Sequence, residues 1–344
     1  MVEKMGINNN LEMQVKEYIK NKMMDNLSFP AGTSYEIADI IVGNYNINYV
    51  IKLGEQKFLL RINVEQQSGL TNQMAYEYNT IVHLAKYGVT PAAYYLDSTR
   101  KWIPFDFIVQ DYIEGKHIDF DDHHAIEDAA AALARLHRVP FPQEDFLVRY
   151  NNPLQDLYQE ITRMLRQYET RKTCNKNLVT KGEILLKKLK LLVKKNELYF
   201  SPVSIVHTDA VNDNFIRCHE GTKIIDWEKP RIDDCTYDLC VFMGRPPQIW
   251  ASTRLMQGEE RNRFLIAYCN NCDIALTELE HKVNIFQPFV SFRWIMWGAH
   301  RTADADEGLI SSELKEFHSA NYPKYKRVGS EDNVEVLLDT NCLN

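Results

Sequence analysis

The first hundred residues alternate short apolar runs with polar segments. Residues 11–24 carry apolar side chains at helical spacing, which predicts an amphipathic helix. The runs EIADIIVG, NYVIKL and KFLLRINV follow, and the polar segments between them predict a three-stranded antiparallel meander. The segment MAYEYNTIVHLAKYG has helical spacing and reaches Gly88, a residue type that often ends helices. AAYYLD and FDFIVQDYIEG are two further strand-like runs.

Helical patterns dominate after Gly115. The run AIEDAAAALARLHRV is rich in Ala and Leu and ends in basic residues, as is typical of a helix C-terminus. The run KGEILLKKLKLLVKKNEL sets lysines around a stripe of leucines. This predicts a helix whose lysine face is solvated and whose leucine face packs in the core, rather than a membrane or nucleic-acid patch. Short strands return after Ser201, and residues 261–319 are helical again. The pattern predicts an α+β chain with a small β-rich N-terminal lobe and a larger, mainly helical C-terminal lobe.

Composition narrows the classes of partner. The chain has 344 residues, of which 45% are hydrophobic, and its 47 acidic and 40 basic residues give a net charge of −7. No diffuse positive field is available for nucleic acid, so a nucleic-acid partner is not expected. No apolar run could span a bilayer, and the N-terminus has no apolar leader segment, so we expect neither membrane insertion nor secretion. The sequence does not specify an oligomeric state.

The cysteines indicate a reducing compartment. Their number, seven, is odd, and they are scattered along the chain, which argues against a disulfide framework and favours a cytoplasmic location. Cys269 and Cys272 form a single CxxC pair. No second pair stands at a spacing that would complete a zinc site, so metal or redox use of this pair is not expected.

The residues with the clearest chemistry lie in the segment SIVHTDAVNDNFIRCHEGTKIIDW. Asp209 is followed five positions later by Asn214, and a predicted hairpin then returns the chain to Asp226. Mg²⁺ prefers a few carboxylate or amide oxygens, with phosphates and water completing its shell. Asn214 and Asp226 could supply those oxygens, while Asp209 could accept the proton of an incoming hydroxyl. Phosphoryl transfer would explain why these residue types stand together.

This segment also resembles a known family. The run His207-Thr-Asp209-x4-Asn214, followed by Asp226-Trp-Glu and Tyr-Asp238-Leu, is similar to the aminoglycoside phosphotransferase and choline kinase-like family of small-molecule kinases. The resemblance implies a bilobal protein-kinase-like fold with ATP and Mg²⁺ as cofactors. It implies that Asp209 is the catalytic base, that Asn214 and Asp226 bind Mg²⁺, and that His207 and Asp238 support the catalytic loop.

The resemblance also implies a division of the chain. Residues 1–109 would form the nucleotide-binding lobe with an extra N-terminal helix, residues 110–115 the hinge, and residues 116–344 the catalytic and substrate-binding lobe. Backbone groups of Gln110 and Tyr112 in the hinge would then bind the adenine edge.

Two further nucleotide contacts are expected in the N-terminal lobe. Arg61 on a predicted strand stands where the family needs a cation for the phosphates, and Glu77 on the next helix could hold it. The alternative for Glu77 is an ordinary solvated helix charge. The turn that contains Gly43 and Asn46 stands where a loop covers the phosphates, although Asn44 replaces the family's second glycine.

The acceptor is less well defined by the sequence. Trp294 and Trp297 resemble the tryptophan-bearing helix of choline kinases, and Asp304 follows them, which would suit a cationic choline-like or aminoglycoside substrate. Glu228 could also face such a cation. The alternative is a pair of core tryptophans followed by a solvated acidic loop. A sugar or amino-acid acceptor is also compatible with the same catalytic residues.

A second hypothesis is a catalytically silent nucleotide-binding protein that keeps the fold. Thr208, where the family more often has Gly, motivates it, as do Arg61 in place of lysine and the glycine-poor loop. The intact set of Asp209, Asn214 and Asp226 favours the enzyme, because a silent protein need not keep a base and both metal ligands.

Overall fold

The computed structural model describes residues 9–339 except 31, 67–69 and 197. The chain forms two compact units. Unit 1 comprises Met1–Glu114 and Ile310–Asn321, and unit 2 comprises Gly115–Leu309 and Tyr322–Asn344. The N-terminal residues 1–8 and Cys342, one of the seven cysteines, lie outside the described residues.

Unit 1 is built on a five-stranded antiparallel sheet with the order β1-β2-β3-β5-β4. Its strands are β1 (Tyr35–Val42), β2 (Asn46–Leu53), β3 (Gln56–Asn63), β4 (Ala93–Asp97) and β5 (Phe107–Asp111). The first three form the predicted meander, since β1 pairs with β2 and β2 with β3 through short turns. β5 is inserted between β3 and β4, so it has a neighbour on both sides.

The helices of unit 1 cover this sheet and its edge. They are α1 (Asn9–Tyr18), a π-helical turn (Ile19–Met23), α2 (Met24–Asn26) and α3 (Gln73–Ala85). The predicted helix over residues 11–24 therefore exists but contains a π turn. Its apolar face joins the buried cluster of the sheet, where the Tyr18 ring lies 4.8 Å from that of Phe107. Beyond α3, Gly88 has a φ of 68°, which suits the expected glycine at a helix end.

Unit 2 is mainly helical. Its helices are α4 (His123–His137), α5 (Pro153–Glu169), α6 (Lys176–Asn196), α7 (Thr236–Met243), α8 (Arg245–Ala251), α9 (Gly258–Cys269), α10 (Leu276–Asp306) and α12 (Glu331–Leu338), while α11 (Lys315–Val328) begins in unit 1 and ends in unit 2. Its strands are β6 (Lys116–His117), β7 (Ser204–Val206), β8 (Phe215–Cys218), β9 (Gly221–Ile224) and β10 (Arg231–Asp233). They form the sheets β6-β8-β9 and β10-β7.

The first segment of unit 1 ends at Glu114, within residues 110–115, and a later segment of the chain also packs in this unit. Residues Ile310–Asn321, which the sequence assigned to the C-terminal lobe, belong to unit 1. Leu314 is fully buried in the core of unit 1, and the Ser311 amide donates to Glu65 Oε1 at 2.7 Å. The burial of Leu314 and the hydrogen bond to Glu65 hold this segment in unit 1. Both involve residues far apart in the sequence, so no local pattern could have predicted them.

Two further predictions concern helices α6 and α10. The lysine-rich helix α6 buries its leucine stripe, including Leu185 and Leu189, and leaves most lysines exposed or half-buried, as predicted. The acidic residues after the tryptophans, by contrast, do not begin a loop, because α10 continues to Asp306. Among the described helices, none combines the length and apolar content needed to cross a membrane.

Candidate active site

A buried carboxylate holds the loop that follows β7. The backbone amides of His207 and Thr208 both donate to Asp238 of α7, at 2.6 and 2.8 Å. Asp238 is fully buried, and its Oδ2 also lies 3.1 Å from Nε2 of His137 on α4. Bonds to a charged acceptor are about twice as strong as neutral ones, so this single side chain fixes the start of an irregular loop.

His207 connects the loop to the end of β9. Its Nε2 donates to the carbonyl of Ile225 at 2.9 Å, and its Nδ1 accepts from the Asp209 amide at 3.3 Å. Complete burial lowers the pKa of His207, which favours the neutral ring that this pair of bonds requires. The ring also packs edge-on against Trp227, with centroids 4.5 Å apart. The segment that carries Asp226 is thereby joined to the segment that carries Asp209.

Asp209 has one oxygen engaged and one oxygen without a partner. The Asn214 side-chain amide donates to the Asp209 carbonyl at 2.8 Å and to its Oδ2 at 3.2 Å. Oδ1 is buried, and no described residue donates a hydrogen bond to it. Burial and then the charge of Asp226 raise the pKa of Asp209 to about 7, while Arg293 and Asn214 oppose that rise. This oxygen is available to accept a proton from a bound hydroxyl.

A backbone hydrogen bond joins the two segments that carry the candidate metal ligands. The Ile225 amide donates to the Asn214 backbone carbonyl at 2.9 Å, so the residue before Asp226 is bonded to Asn214. Because the Asn214 amide nitrogen faces Asp209, its oxygen points elsewhere and can bind a hard cation. One carboxylate and one amide oxygen suit Mg²⁺, which completes its shell with phosphates and water. No group of three or more His, Cys, Asp or Glu side chains suited to a metal occurs in the described chain.

Thr208 explains how the loop accommodates a residue other than glycine. Its φ is 70°, in the left-handed region that a β-branched residue rarely adopts. Its hydroxyl donates to the carbonyl of Lys229 at 2.8 Å. The hydrogen bond offsets part of the backbone strain and ties Lys229 to the catalytic loop.

Unit 1 brings the predicted cation and carboxylate together. Arg61 of β3 and Glu77 of α3 form an ion pair, with Nε 2.7 Å from Oε1, and both side chains are buried. The Arg61 guanidinium also donates to Asn48 Oδ1 at 3.4 Å. Glu77 is therefore buried and paired, and the alternative of a solvated helix charge is wrong.

The turn between β1 and β2 is short and tightly bonded. The Gly43 amide donates to the carbonyl of Asn46 at 2.8 Å, which closes a three-residue loop. Asn46 itself lies at the start of β2 with its side chain 1% exposed, and its Oδ1 accepts from Asn63 at 3.0 Å. The Asn46 side chain thus has a structural partner, and backbone amides of the turn are better candidates for phosphate contacts.

The predicted hinge residues lie at the end of β5. Gln110 is buried and pairs with Leu59 of β3 and Ala93 of β4. The Tyr112 amide donates to the Lys57 carbonyl at 3.4 Å, a long bond. Gly115, the first residue of unit 2, has no room for a Cβ atom, which would lie 2.3 Å from the Arg217 carbonyl oxygen.

Comparison with known proteins identifies the family. The model of a family described as phosphotransferase enzyme family matches residues 36–280. The chain belongs to this phosphotransferase family. A search of curated proteins gave no match.

Solved structures share the fold at low identity. An ethanolamine kinase of Plasmodium vivax is 16% identical with a TM-score of 0.67, and the match covers 92% of this chain and 88% of that chain. A choline kinase of Cryptosporidium parvum Iowa II is 15% identical with a TM-score of 0.64, covering 96% and 100%. A spectinomycin phosphotransferase solved with ADP and spectinomycin is 15% identical with a TM-score of 0.60, covering 90% and 95%. These likenesses confirm the predicted kinase-like α+β fold.

The tryptophans predicted for the acceptor lie in an aromatic cluster of this phosphotransferase. Trp294 and Trp297 of α10 are 5.3 Å apart, and Trp297 also contacts Trp250 and Tyr325. Trp294 is only 4% exposed, so most of its surface serves packing. Its Nε1 is buried without a hydrogen-bond acceptor among the described residues.

The carboxylates predicted for a cationic substrate are differently placed. Asp304 lies in the last turn of α10 and pairs with Arg171 at 2.8 Å and with Arg301 at 3.3 Å. Its charge is therefore already compensated by two arginines. Glu228 is half-buried, two residues after Asp226. The structure thus brings the two tryptophans together but ties Asp304 to arginines.

The sequence interpretation missed a group of charges in unit 2. Glu160 forms ion pairs with Arg231 and Arg293. The charges of these residues and of Lys229 also shift the pKa values of Glu160 and Lys229. The four residues come from α5, the segment after Asp226, β10 and α10. No local signal could have found them, because each is an ordinary charged residue in its own segment.

The two cysteines of the CxxC pair lie at and just after the end of α9. Cys269 and Cys272 are both free and half-buried, and the Cys272 thiol donates to the Tyr268 carbonyl at 2.9 Å. Burial raises the pKa of both thiols, which disfavours reactive thiolates.

Proposed function

We propose that this chain transfers the γ-phosphoryl group of ATP, with Mg²⁺, to a hydroxyl group of a small molecule. The observation that carries the proposal is Asp209 Oδ1, a buried carboxylate oxygen without a hydrogen-bond donor, on a loop fixed by Asp238. Such an oxygen has lost hydration without gaining a protein partner, which is costly unless a ligand donates to it. A substrate hydroxyl is the donor that this chemistry requires.

The remaining residues of the catalytic loop fit this role. Asn214 holds the other oxygen of Asp209, so the base keeps one orientation. The Asn214 amide oxygen and the Asp226 carboxylate would hold Mg²⁺. Mg²⁺ supplies charge neutralisation to the phosphates when it is bound. Asp209 would then accept the hydroxyl proton as the acceptor oxygen attacks phosphorus, and a pKa near 7 suits a general base at neutral pH.

For the nucleotide we propose contacts in unit 1. The Arg61 guanidinium, held by Glu77, would bind phosphate oxygens, and the amides of the turn at Gly43 would lie over them. Gln110 and Tyr112 would contribute backbone groups to the adenine edge. We place the reaction in the cytoplasm, where ATP and reduced cysteines are both expected.

The competing hypothesis is a silent nucleotide-binding protein. It was motivated by Thr208, Arg61 and the glycine-poor turn. The Thr208 hydroxyl is hydrogen-bonded and Arg61 is paired with Glu77, so neither departure by itself requires loss of activity. For a choline-like acceptor, the aromatic cluster around Trp297 would offer ring faces to the ammonium group.

The test is Mg²⁺-dependent phosphoryl transfer from ATP to a panel of amino alcohols, sugars and hydroxy acids. Asp209→Asn removes the base but keeps the shape, so we expect kcat to fall by roughly 10²–10⁴-fold. Asp213→Asn, an exposed aspartate of the same loop, is the matched control and should stay within about threefold of wild type. A wild type that binds ATP yet phosphorylates no acceptor would support the silent protein instead.

A further inference from the structure

A segment from far along the chain contacts the turn between β1 and β2. Within unit 1, residues Ile310–Asn321 contain a single 3₁₀ turn, Ser312–Leu314, and the start of α11. From this segment, Nε2 of His318 lies 3.1 Å from the backbone carbonyl oxygen of Asn44, which stands 274 positions earlier. A carbonyl oxygen can only accept, so the His318 ring donates this hydrogen bond. The turn is therefore held by a side chain of α11 as well as by its own strands.

Burial gives His318 a fixed place in unit 1. The residue is 1% exposed, and Leu314, four positions earlier, is fully buried in the core of the same unit. If the Asn44 carbonyl moved away, a buried N–H would lose the acceptor that it has in this structure. Such a loss costs more than the loss of an exposed hydrogen bond, which water can replace. The contact therefore favours one position of the turn.

Glu65 provides a second connection between the same segment and the turn. Its Oε1 accepts from the Ser311 amide at 2.7 Å, and its own amide donates to the Tyr45 carbonyl at 3.1 Å. The Val64 amide donates to the same carbonyl at 2.9 Å. The carbonyls of two consecutive turn residues are thus both bonded, that of Asn44 to the segment itself and that of Tyr45 to a residue that binds the segment.

Fixed carbonyls also determine where the amides of the turn point. The peptide units of the turn are trans, and in a trans unit the N–H points opposite to the C=O. The bond to the Asn44 carbonyl therefore orients the amide of Tyr45, and the bonds to the Tyr45 carbonyl orient the amide of Asn46. Backbone amides that are already oriented can bind an anion without first losing conformational freedom.

We propose that His318 is a positioning residue for the nucleotide and holds the turn between β1 and β2 in the conformation that presents its amides to the phosphates. The proposal rests on the proposed kinase function, since that function places the phosphates at this turn. His318 acts through the Asn44 carbonyl and does not itself touch the nucleotide. A segment near the C-terminal end of the chain, and not the sheet alone, then sets nucleotide affinity.

The first experiment measures nucleotide affinity in three variants of His318. Gln can place its amide nitrogen close to the position of the histidine Nε2, whereas Asn is shorter and Leu has no donor. In calorimetry on the full chain, we expect the Kd for MgADP to rise by about fivefold or more in His318→Leu and His318→Asn. His318→Gln should stay within about twofold of wild type. An unchanged Kd in His318→Leu would overturn the proposal, and equal losses in all three variants would contradict the role of the hydrogen bond.

His300 supplies the matched control. Its Nε2 also donates to a backbone carbonyl, that of Met164 at 2.9 Å, but within unit 2. His300→Leu should therefore lower Tm and leave the Kd for MgADP within about twofold of wild type. If His300→Leu weakened binding as much as His318→Leu, affinity would simply follow stability, and His318 would have no special role at the turn.

Steady-state kinetics separates nucleotide positioning from an effect on the chemical step. With the preferred acceptor, His318→Leu should raise KM for MgATP by about fivefold or more and leave kcat and the acceptor KM within about twofold of wild type. A fall in kcat with an unchanged KM for MgATP would contradict the proposal. A wild type that binds MgADP, with the expected pattern among the variants, but phosphorylates no acceptor would refute the kinase function alone.

A third measurement needs no nucleotide. Hydrogen exchange of peptides that cover residues 43–48, followed by mass spectrometry on the free protein, reports how readily the turn opens. His318→Leu should speed this exchange by at least about threefold, and His318→Gln should keep the wild-type rate. Unchanged exchange in His318→Leu would mean that the turn keeps its conformation without α11, and the proposal would fail whatever the nucleotide does.

Discussion

At the scale of the residue, individual side chains hold the catalytic loop in place. Asp238 accepts from two consecutive amides, and Asn214 fixes one oxygen of Asp209. Neither contact depends on regular secondary structure, so the loop is held by side chains from neighbouring segments. Thr208 adds a hydroxyl bond at a position with positive φ. The shape of this loop is therefore sensitive to substitutions that conserve size but remove one polar atom.

Glu160 gives a pH-dependent prediction at the same scale. Burial by itself would raise its pKa, but Arg293 and Arg231 outweigh burial and lower the pKa to about 2. A carboxyl whose pKa is lower in the folded state stabilises the fold above its unfolded pKa, near 4.5, and loses this contribution as the pH falls towards 2. The loss corresponds to about 3 kcal/mol.

The measurement is the free energy of unfolding in urea between pH 2 and pH 7. Wild type should exceed Glu160→Gln by the largest margin above about pH 5, and the two proteins should converge towards pH 2. Glu169→Gln, at the exposed end of the same helix, is the control and should track wild type. A margin that does not change with pH would mean that Glu160 is not ionised in the folded protein.

At the scale of the element, one ion pair joins a helix to the sheet of unit 1. Arg61 on β3 and Glu77 on α3 are both buried. A surface pair would contribute little, but a buried pair leaves an uncompensated charge when one partner is removed. The nucleotide-binding proposal therefore depends on the position of α3 against the sheet.

Glu77→Gln tests this dependence. We expect the free energy of unfolding to fall by about 3 kcal/mol, since the buried charge of Arg61 would lose the carboxylate that lies 2.7 Å from its Nε. ADP affinity, measured by calorimetry, should fall as well, because the guanidinium would lose its fixed position. Glu55→Gln removes the partner of an exposed pair with Lys52 and should change stability by less than about 0.5 kcal/mol. A loss of less than 1 kcal/mol for Glu77→Gln would contradict this account.

At the scale of the whole molecule, each unit has its own buried core and its own set of candidate site residues. The Arg61 pair belongs to unit 1, while Asp209, Asn214 and Asp226 belong to unit 2. Binding of Mg²⁺ and nucleotide to the native state should stabilise the chain, and this stabilisation should require both Mg²⁺ and the nucleotide.

Thermal unfolding with MgADP measures that stabilisation. At a nucleotide concentration about a hundred times Kd, binding adds roughly 2.7 kcal/mol, which we expect to raise Tm by several degrees. EDTA should abolish the Mg²⁺-dependent part of the shift, and Asp226→Asn should do the same without EDTA. Asp273→Asn, an exposed aspartate outside the loop, should keep the full shift. An unchanged shift in Asp226→Asn would show that this residue does not bind the metal.

Much of the fold could be predicted from local pattern. The meander β1 to β3, helix α3 and the hairpin before Asp226 follow from side-chain periodicity and turn residues, which are properties of neighbouring positions. The π turn after α1 was not predicted. Its residues Ile19 and Met23 are buried in the core of unit 1, and such tertiary packing overrides local preference.

The sequence by itself determined the family, the order of the catalytic motif and the chemical type of each candidate ligand, because the motif spans few residues and its chemistry is local. Only the tertiary structure decided that Asp304 is paired with arginines, that Ile310–Asn321 packs in unit 1, and that Glu160 meets Arg293 from 133 positions away. Burial and charge interactions act between residues that are close in space, whatever their separation in sequence. The contact between Glu160 and Arg293 could therefore be found only from the folded chain.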